Sequence, residues 1–210
     1  MKPWLSTALL AFGLATADGA HAAIVYENAT EDTLQSSIFS SIGATEIGDQ
    51  VQLGGTARQA TRASVQFFNL GSRGSFSATL NFYQTGSPVG AGLGSFVVDG
   101  IVMDQGDVLT VDFTNLNLLV PTDLIFTISL SNLTAGVDPG LNFFNVAGPT
   151  TGDSDGNLYI INDGNFSEAL GSDAGNLYFV LEATDAVPEP GSLLMLTGGA
   201  AALFLLRRRM

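Results

Sequence analysis

From Ala23 to Thr184 apolar and polar residues alternate with a period of two. In Gly74 to Thr85, Phe76, Ala78, Leu80 and Phe82 fall on one face, and Ser75, Ser77, Thr79 and Asn81 on the other. Successive side chains of a strand point to opposite faces, so this pattern predicts a half-buried strand and excludes an amphipathic helix. Thr122 to Ser131 repeats it, with Leu124, Phe126, Ile128 and Leu130 in phase. Ala63 to Leu70, Ser95 to Met103, Asp107 to Phe113 and Leu177 to Leu181 read the same way. Shorter candidates are Ile24 to Tyr26, Glu46 to Leu53, Leu141 to Val146 and Leu158 to Ile161. Between them stand Asp99-Gly100, Gln105-Gly106, Asp138-Pro139-Gly140, Asp155-Gly156 and Asp163-Gly164, residue types that accept positive φ or preset a turn. The pattern predicts an all-β body over residues 23–184, an antiparallel two-sheet sandwich or jelly roll of about ten strands. Roughly 160 residues suffice for one self-sufficient core.

The two ends depart from this pattern. Lys2, the apolar stretch from Leu5 to Ala17 and the small-x-small site Ala20-His21-Ala22 have the order of a secretory signal peptide over residues 1–22, a helix removed after Ala22. At the other end, residues 185–210 hold a short linker, the motif Val187-Pro188-Glu189-Pro190-Gly191, the apolar run 192–206 and the tail Arg207-Arg208-Arg209-Met210. The run predicts a short transmembrane helix. At 1.5 Å per residue it covers about 22 Å of a ~30 Å hydrocarbon core. The arginines act as a stop-transfer signal on the cytoplasmic side.

Removing the signal peptide changes the chemistry available. Lys2, Trp4 and His21 are the only residues of their kinds, and the chain has no cysteine. Between Ala23 and Pro190 the cations are Arg58, Arg62 and Arg73 against 19 carboxylates, a net charge of −16. A surface this acidic excludes nucleic acid as a partner, because phosphate binding needs clustered Lys and Arg. Without His, Lys or Cys the body lacks the usual general bases and activated nucleophiles. A carboxylate pair is the one catalytic arrangement left. No pair stands out, and the expectation is that the protein is not an enzyme.

The order Val187-Pro188-Glu189-Pro190, apolar helix, arginine cluster resembles the PEP-CTERM protein-sorting signal. The resemblance covers about 24 residues at the C-terminus, Val187 to Met210. It implies an exosortase, a membrane protease-transpeptidase that recognises and removes the tail, together with the export machinery. It also implies a Gram-negative bacterium that makes extracellular polysaccharide. The destination would be the cell surface or the biofilm matrix, after transient anchoring in the inner membrane. Glu46-Ile47-Gly48-Asp49-Gln50-Val51 with Leu53 to Arg58 is similar to a segment found early in many PEP-CTERM ectodomains, which have no agreed biochemical activity.

Three candidate sites remain. Asp153, Asp155 and Asn157 alternate oxygen ligands around Gly156, a pattern suited to Ca2+, with Asp163, Asn165 and Asp173 as further donors if the loops converge. No Glu closes an EF-hand loop, and a solvated turn explains the same residues. Gly156-Asn157-Leu158-Tyr159-Ile160 recurs as Gly175-Asn176-Leu177-Tyr178-Phe179, so Tyr159 and Tyr178 would form a sugar-stacking platform if their strands were neighbours. The plainer alternative packs both tyrosines. Arg58, Arg62 and Arg73 either clamp an anion or each pair with a nearby carboxylate. The sequence thus points to an exported structural or adhesive protein of the cell surface or polysaccharide matrix. A glycan-binding module, assisted by calcium, is the alternative.

Overall fold

The computed structural model describes residues 21–30, 34–38, 45–86, 92–144, 148–162, 165–170 and 176–185; at 34–38, 155–157, 162 and 165–170 it describes the backbone alone. The signal helix, the sorting motif, the transmembrane run and Arg207 to Arg209 lie outside these residues. All the regular elements described are strands. In chain order they are β1 (Ala23–Asn28), β2 (Leu34–Ile38), β3 (Glu46–Gln52), β4 (Gln59–Asn69), β5 (Gly74–Gln84), β6 (Gly92–Met103) and β7 (Val108–Leu119). They continue as β8 (Asp123–Ser131), β9 (Pro139–Phe144), β10 (Asp153–Asn162), β11 (Asn165–Leu170), β12 (Asn176–Leu177) and β13 (Phe179–Thr184).

They form two antiparallel sheets. One has seven strands, ordered β1-β13-β4-β9-β12, with β2 added on β9 and β7 on β4. The other has six, ordered β11-β10-β3-β8-β5-β6. The expected all-β, two-sheet architecture holds, with more strands than the alternation marked. The strands that it missed, β2 and β11, each pair with a single neighbour. The pair Asp99-Gly100 makes no hairpin turn. It is a bulge inside β6, where Ile101 pairs Phe76 and Val98 pairs Ala78, and Gly100 carries a φ of 68°. The turn after Asp104 carries the chain from the edge of the six-stranded sheet to the edge of the other. It is fastened to buried Asn69, whose amide donates to the Ser72 and Asp104 carbonyls and whose Oδ1 accepts from Gly71 and Asp138.

The core lies between the sheets and is built on aromatic contacts across the gap. Phe179 of β13 stacks on Phe126 of β8 with centroids 3.7 Å apart and planes 12° from parallel. Tyr26 of β1 and Phe82 of β5 also meet Phe179, at 5.9 and 6.5 Å. Farther along, Phe67 of β4 meets Phe76 of β5 at 5.5 Å. All six rings belong to fully buried residues. Offset or tilted aromatic pairs contribute about 0.5–1.5 kcal/mol beyond the area they bury. One close approach fixes the centre of the six-stranded sheet. A Cβ on Gly48 of β3 would stand 2.0 Å from the Phe126 carbonyl of β8, so only glycine lets these strands sit at this spacing.

Phe179 touches strands of both sheets, so its truncation leaves a cavity that neither sheet can fill alone. Phe179→Ala is expected to cost about 3–5 kcal/mol in urea unfolding. Leu133→Ala, at a residue 48% exposed, should stay within about 0.5 kcal/mol. Equal effects at the two positions would contradict this placement of the core.

Candidate functional site

On β3 the alternation puts Ile47, Asp49 and Val51 on the core face, and all three are buried. Asp49 is therefore a carboxylate among apolar neighbours, paired in register with Phe126 on one side and Leu158 on the other. Ser154 of β10 reaches it, with Oγ 3.2 Å from Asp49 Oδ1. The same hydroxyl lies 2.5 Å from Oδ1 of Asn176 in β12, on the opposite sheet. Asn28 of β1 completes the group. Its amide donates to the main-chain carbonyls of Asn176 and Leu177, both at 2.9 Å. Asn28, Asp49 and Asn176 are all buried, and the four side chains come from four strands of two sheets.

The segment expected to be an oxygen-rich turn is part of this arrangement. Asp153 to Asn157 belongs to β10, but Ser154 pairs Val51 and Leu158 pairs Asp49, so Asp155, Gly156 and Asn157 bulge out opposite Gln50. Gly152, at φ 79°, brings the chain within 2.5 Å of the Gln52 carbonyl as measured from an added Cβ, which fixes glycine there. Asp153 is exposed, and its carboxylate accepts the Ser154 N–H at 2.9 Å. A solvent-open cleft of about 210 Å³ lies here, lined by Gln50, Val51, Gln52, Asp123, Asp153 and Ser154. Across it Gln52 Nε2 donates to Asp123 Oδ1 at 2.8 Å. The side chains of Asp155, Asn157 and Asn165, and residues Asp163 and Asp173, lie outside the description. Among the described residues no three of His, Cys, Asp and Glu converge on a metal position.

A second polar group occupies the outer face of the six-stranded sheet. The Glu46 carboxylate accepts from Tyr83 OH at 3.1 Å, from Asn81 Nδ2 at 3.2 Å and from Thr127 Oγ1. Ser95 Oγ donates to Asn81 Oδ1 at 2.6 Å. Burial, and then the negative charge of Glu46, push the Tyr83 phenol up to about 12. Tyr83 is thus held as a hydrogen-bond donor and is not a nucleophile near neutral pH.

The near-repeat separates in space. Tyr159 lies in β10 of the six-stranded sheet and pairs Gly48, while Tyr178 stands between β12 and β13 of the seven-stranded sheet. Leu177 and Phe179 face the core, so Tyr178 points outward, where its ring meets Phe144 edge-on at 6.0 Å. The chain changes sheets between the repeats, so the two strands are not paired neighbours in one sheet, as the platform reading required.

The arginines follow the plainer expectation in two cases. Arg62 bridges Asp112 at 2.9 Å and Glu182 at 2.6 Å, and Arg73 pairs Asp104 at 3.5 Å. Burial acts to raise the Asp112 carboxyl, but the Ser64 hydroxyl and Arg62 outweigh it and hold the group below the usual range. Arg58 instead donates to the carbonyls of Gly54, Gly55 and Ala57 and to the Thr122 hydroxyl, so it serves as a loop brace.

Sequence reasoning missed Asn28, Asp49 and Asn176. The signal for Asp49 was present, since an aspartate stands in the apolar phase of Ile47-x-Asp49-x-Val51.

Comparison with known proteins places one match on the tail: residues 186–209 fit the family model of the PEP-CTERM protein-sorting motif. No match is found among curated proteins. Among solved structures the chain is similar to one from the infectious bursal disease virus Gt strain, with 14% identity, 90% of this chain and 42% of that one covered, and a TM-score of 0.37. It is also similar to a chain of the T13 particle of the same virus, with 13% identity, 95% and 52% covered, and a TM-score of 0.37. The chain spans about half or less of the length of these solved chains.

A group whose pKa is higher folded than unfolded contributes stability below the unfolded value and loses it as pH rises. For Tyr83 that window runs from the ordinary 10.0 to about 12. A difference titration at 295 nm between the parent and Tyr83→Phe is expected to show one phenol ionising near 12. A Tyr83 step at the ordinary value would contradict the Glu46 contact.

Proposed function

We propose that this protein is a non-catalytic ectodomain, exported and handed to an exosortase, that takes a structural or adhesive place at the surface of a Gram-negative bacterium or in its polysaccharide matrix. The observation that carries the reading is the sorting motif at residues 186–209, beginning just after β13 ends at Thr184. Proline in Pro188-Glu189-Pro190 disfavours a helix and keeps the backbone extended for a protease.

The geometry suits such processing. β13 pairs β1 on one side and β4 on the other, and the Thr184 carbonyl accepts the Arg58 N–H at 3.2 Å. A cut near Pro188 to Pro190 therefore falls beyond the last strand bond of the described residues. The released body keeps a net charge of −16, and its three arginines are engaged internally. A surface of that sign stays soluble and repels anionic polymers, so neutral matrix components are the favoured contacts. Tyr159 and Tyr178 belong to different sheets, which gives the glycan-binding alternative less support than the structural role.

The test replaces Pro188, Glu189 and Pro190 with alanine and compares intact mass and cell fraction with the parent. The parent is expected outside the inner membrane with a mass ending near Pro190. The triple variant should keep Arg207 to Met210 and remain in the inner membrane. A parent that retains the arginine tail in the inner membrane would overturn the sorting reading.

A further inference from the structure

We propose that the flank formed by β6 and β7 is a self-association surface, on which a second copy of this chain docks about a two-fold axis. The inference goes beyond the sorting reading and does not rest on it.

The sheets stop at these two strands. Among the described residues β6 pairs β5 alone and β7 pairs β4 alone, so each is the last strand of its sheet. The short turn between Met103 and Val108 joins them, which puts both open edges on one side of the sandwich. Each runs for 12 residues, whereas the edge strands β1 and β11 have 6. An edge offers free N–H and C=O groups to another strand, and proteins blunt it by keeping it short or charged. Residues 92–103 and 108–119 are neither. They hold no Lys or Arg and two acids, Asp99 and Asp112, and Asp112 is taken up by Arg62 and Ser64. The bulge at Asp99-Gly100 interrupts β6 but leaves Gly94 to Val98 in regular register with β5.

The side chains agree. Of the eight large apolar residues exposed among the described ones, five lie on these two strands: Val97 and Val102 of β6, and Val108, Leu109 and Leu119 of β7. Phe96, Val98 and Leu118 pack on the core yet stay half-buried. Leu118 of β7 lies over Gly94 of β6, where an added Cβ would meet it at 3.2 Å, so the two edges touch. Single apolar residues are ordinary on a surface, whereas a contiguous patch marks an interface.

Charge and size select a second copy. The body carries a net charge of −16, so two copies repel one another least where both are uncharged. A basic partner would be drawn away from this flank to the acidic surface. A strand of 12 residues is ~40 Å long, and two sheets ~10 Å apart with their side chains make a flank ~20 Å wide. That is about 800 Å2 per copy, the size of a standard stable interface. A two-fold axis sets Gly94 to Val98 antiparallel to itself, continues the ladder and brings like apolar residues together.

The test is sedimentation velocity of the full-length protein in a mild detergent, over about 1 to 100 μM. The parent is expected to dimerise with a Kd of about 10 μM or tighter. The dimer should tighten as NaCl rises from about 0.05 to 0.5 M, because salt screens the like charges of the two bodies. Val97→Glu should weaken it about tenfold or more, while Ile24→Glu, at an exposed apolar residue of β1, should leave it unchanged. If Val97→Glu does not unfold cooperatively, Leu119→Glu takes its place with the same loss expected. A dimer indifferent to both seam variants is made by the apolar tail and overturns the proposal. So does an equal loss in Ile24→Glu, which marks general repulsion. A parent that stays monomeric at about 100 μM also overturns it and leaves the flank to another protein.

Discussion

The stack of Phe179 on Phe126 sets the distance between the two sheets. The rings lie face to face at 3.7 Å, and Tyr26 and Phe82 close on Phe179 from either sheet. Gly48 of β3 has to be glycine because β8 carries Phe126 at that height, with its carbonyl facing the neighbouring strand. Nothing covalent assists, since the chain has no cysteine. The two sheets are held together by non-covalent contacts, burial of apolar surface foremost.

Beside that apolar contact runs a polar one. Asp49 pairs in register with Phe126, and Leu177 lies two residues before Phe179, so the oxygen-rich group and the ring stack are adjacent bridges between the same sheets. They work differently. The rings fill space and tolerate small shifts, whereas hydrogen bonds fix direction. An inter-sheet polar group of this kind selects one relative placement of the sheets from several that the rings alone permit.

Much of the fold was legible because a half-buried strand has to alternate. β5 and β8 could be read almost residue by residue, since each is flanked by partners and has one face in the core. β2 and β11 escaped because each is short and has a polar residue in its apolar phase, Ser36 between Leu34 and Ile38, and Glu168 between Phe166 and Leu170. The first part of β4 escaped for another reason. Its core position ahead of Ala63 is Ala60, 0% exposed yet too small to mark an apolar stripe. The polar site was half legible. Ser154, inside the Asp153 to Asn157 segment that the sequence offered as a calcium loop, joins the polar group, but the other members Asn28, Asp49 and Asn176 lie up to 148 residues apart in the chain and meet only through the topology. The near-repeat misled about strand pairing on the same ground, because local similarity carries no information about which sheet a strand joins.

The position of β13 has a consequence for how the molecule is made. The last described strand is an interior strand of its sheet, inserted between β1, the first described, and β4. A chain crossing a membrane from its N-terminus delivers β1 and β4 long before residues 179–184 arrive. Until then both carry unpaired edges where the sheet should be continuous. Closure of the sandwich therefore waits for the segment directly ahead of the sorting tail. Completion of the fold and arrival of the tail at the membrane become one event in time, with the vectorial order of secretion as the clock.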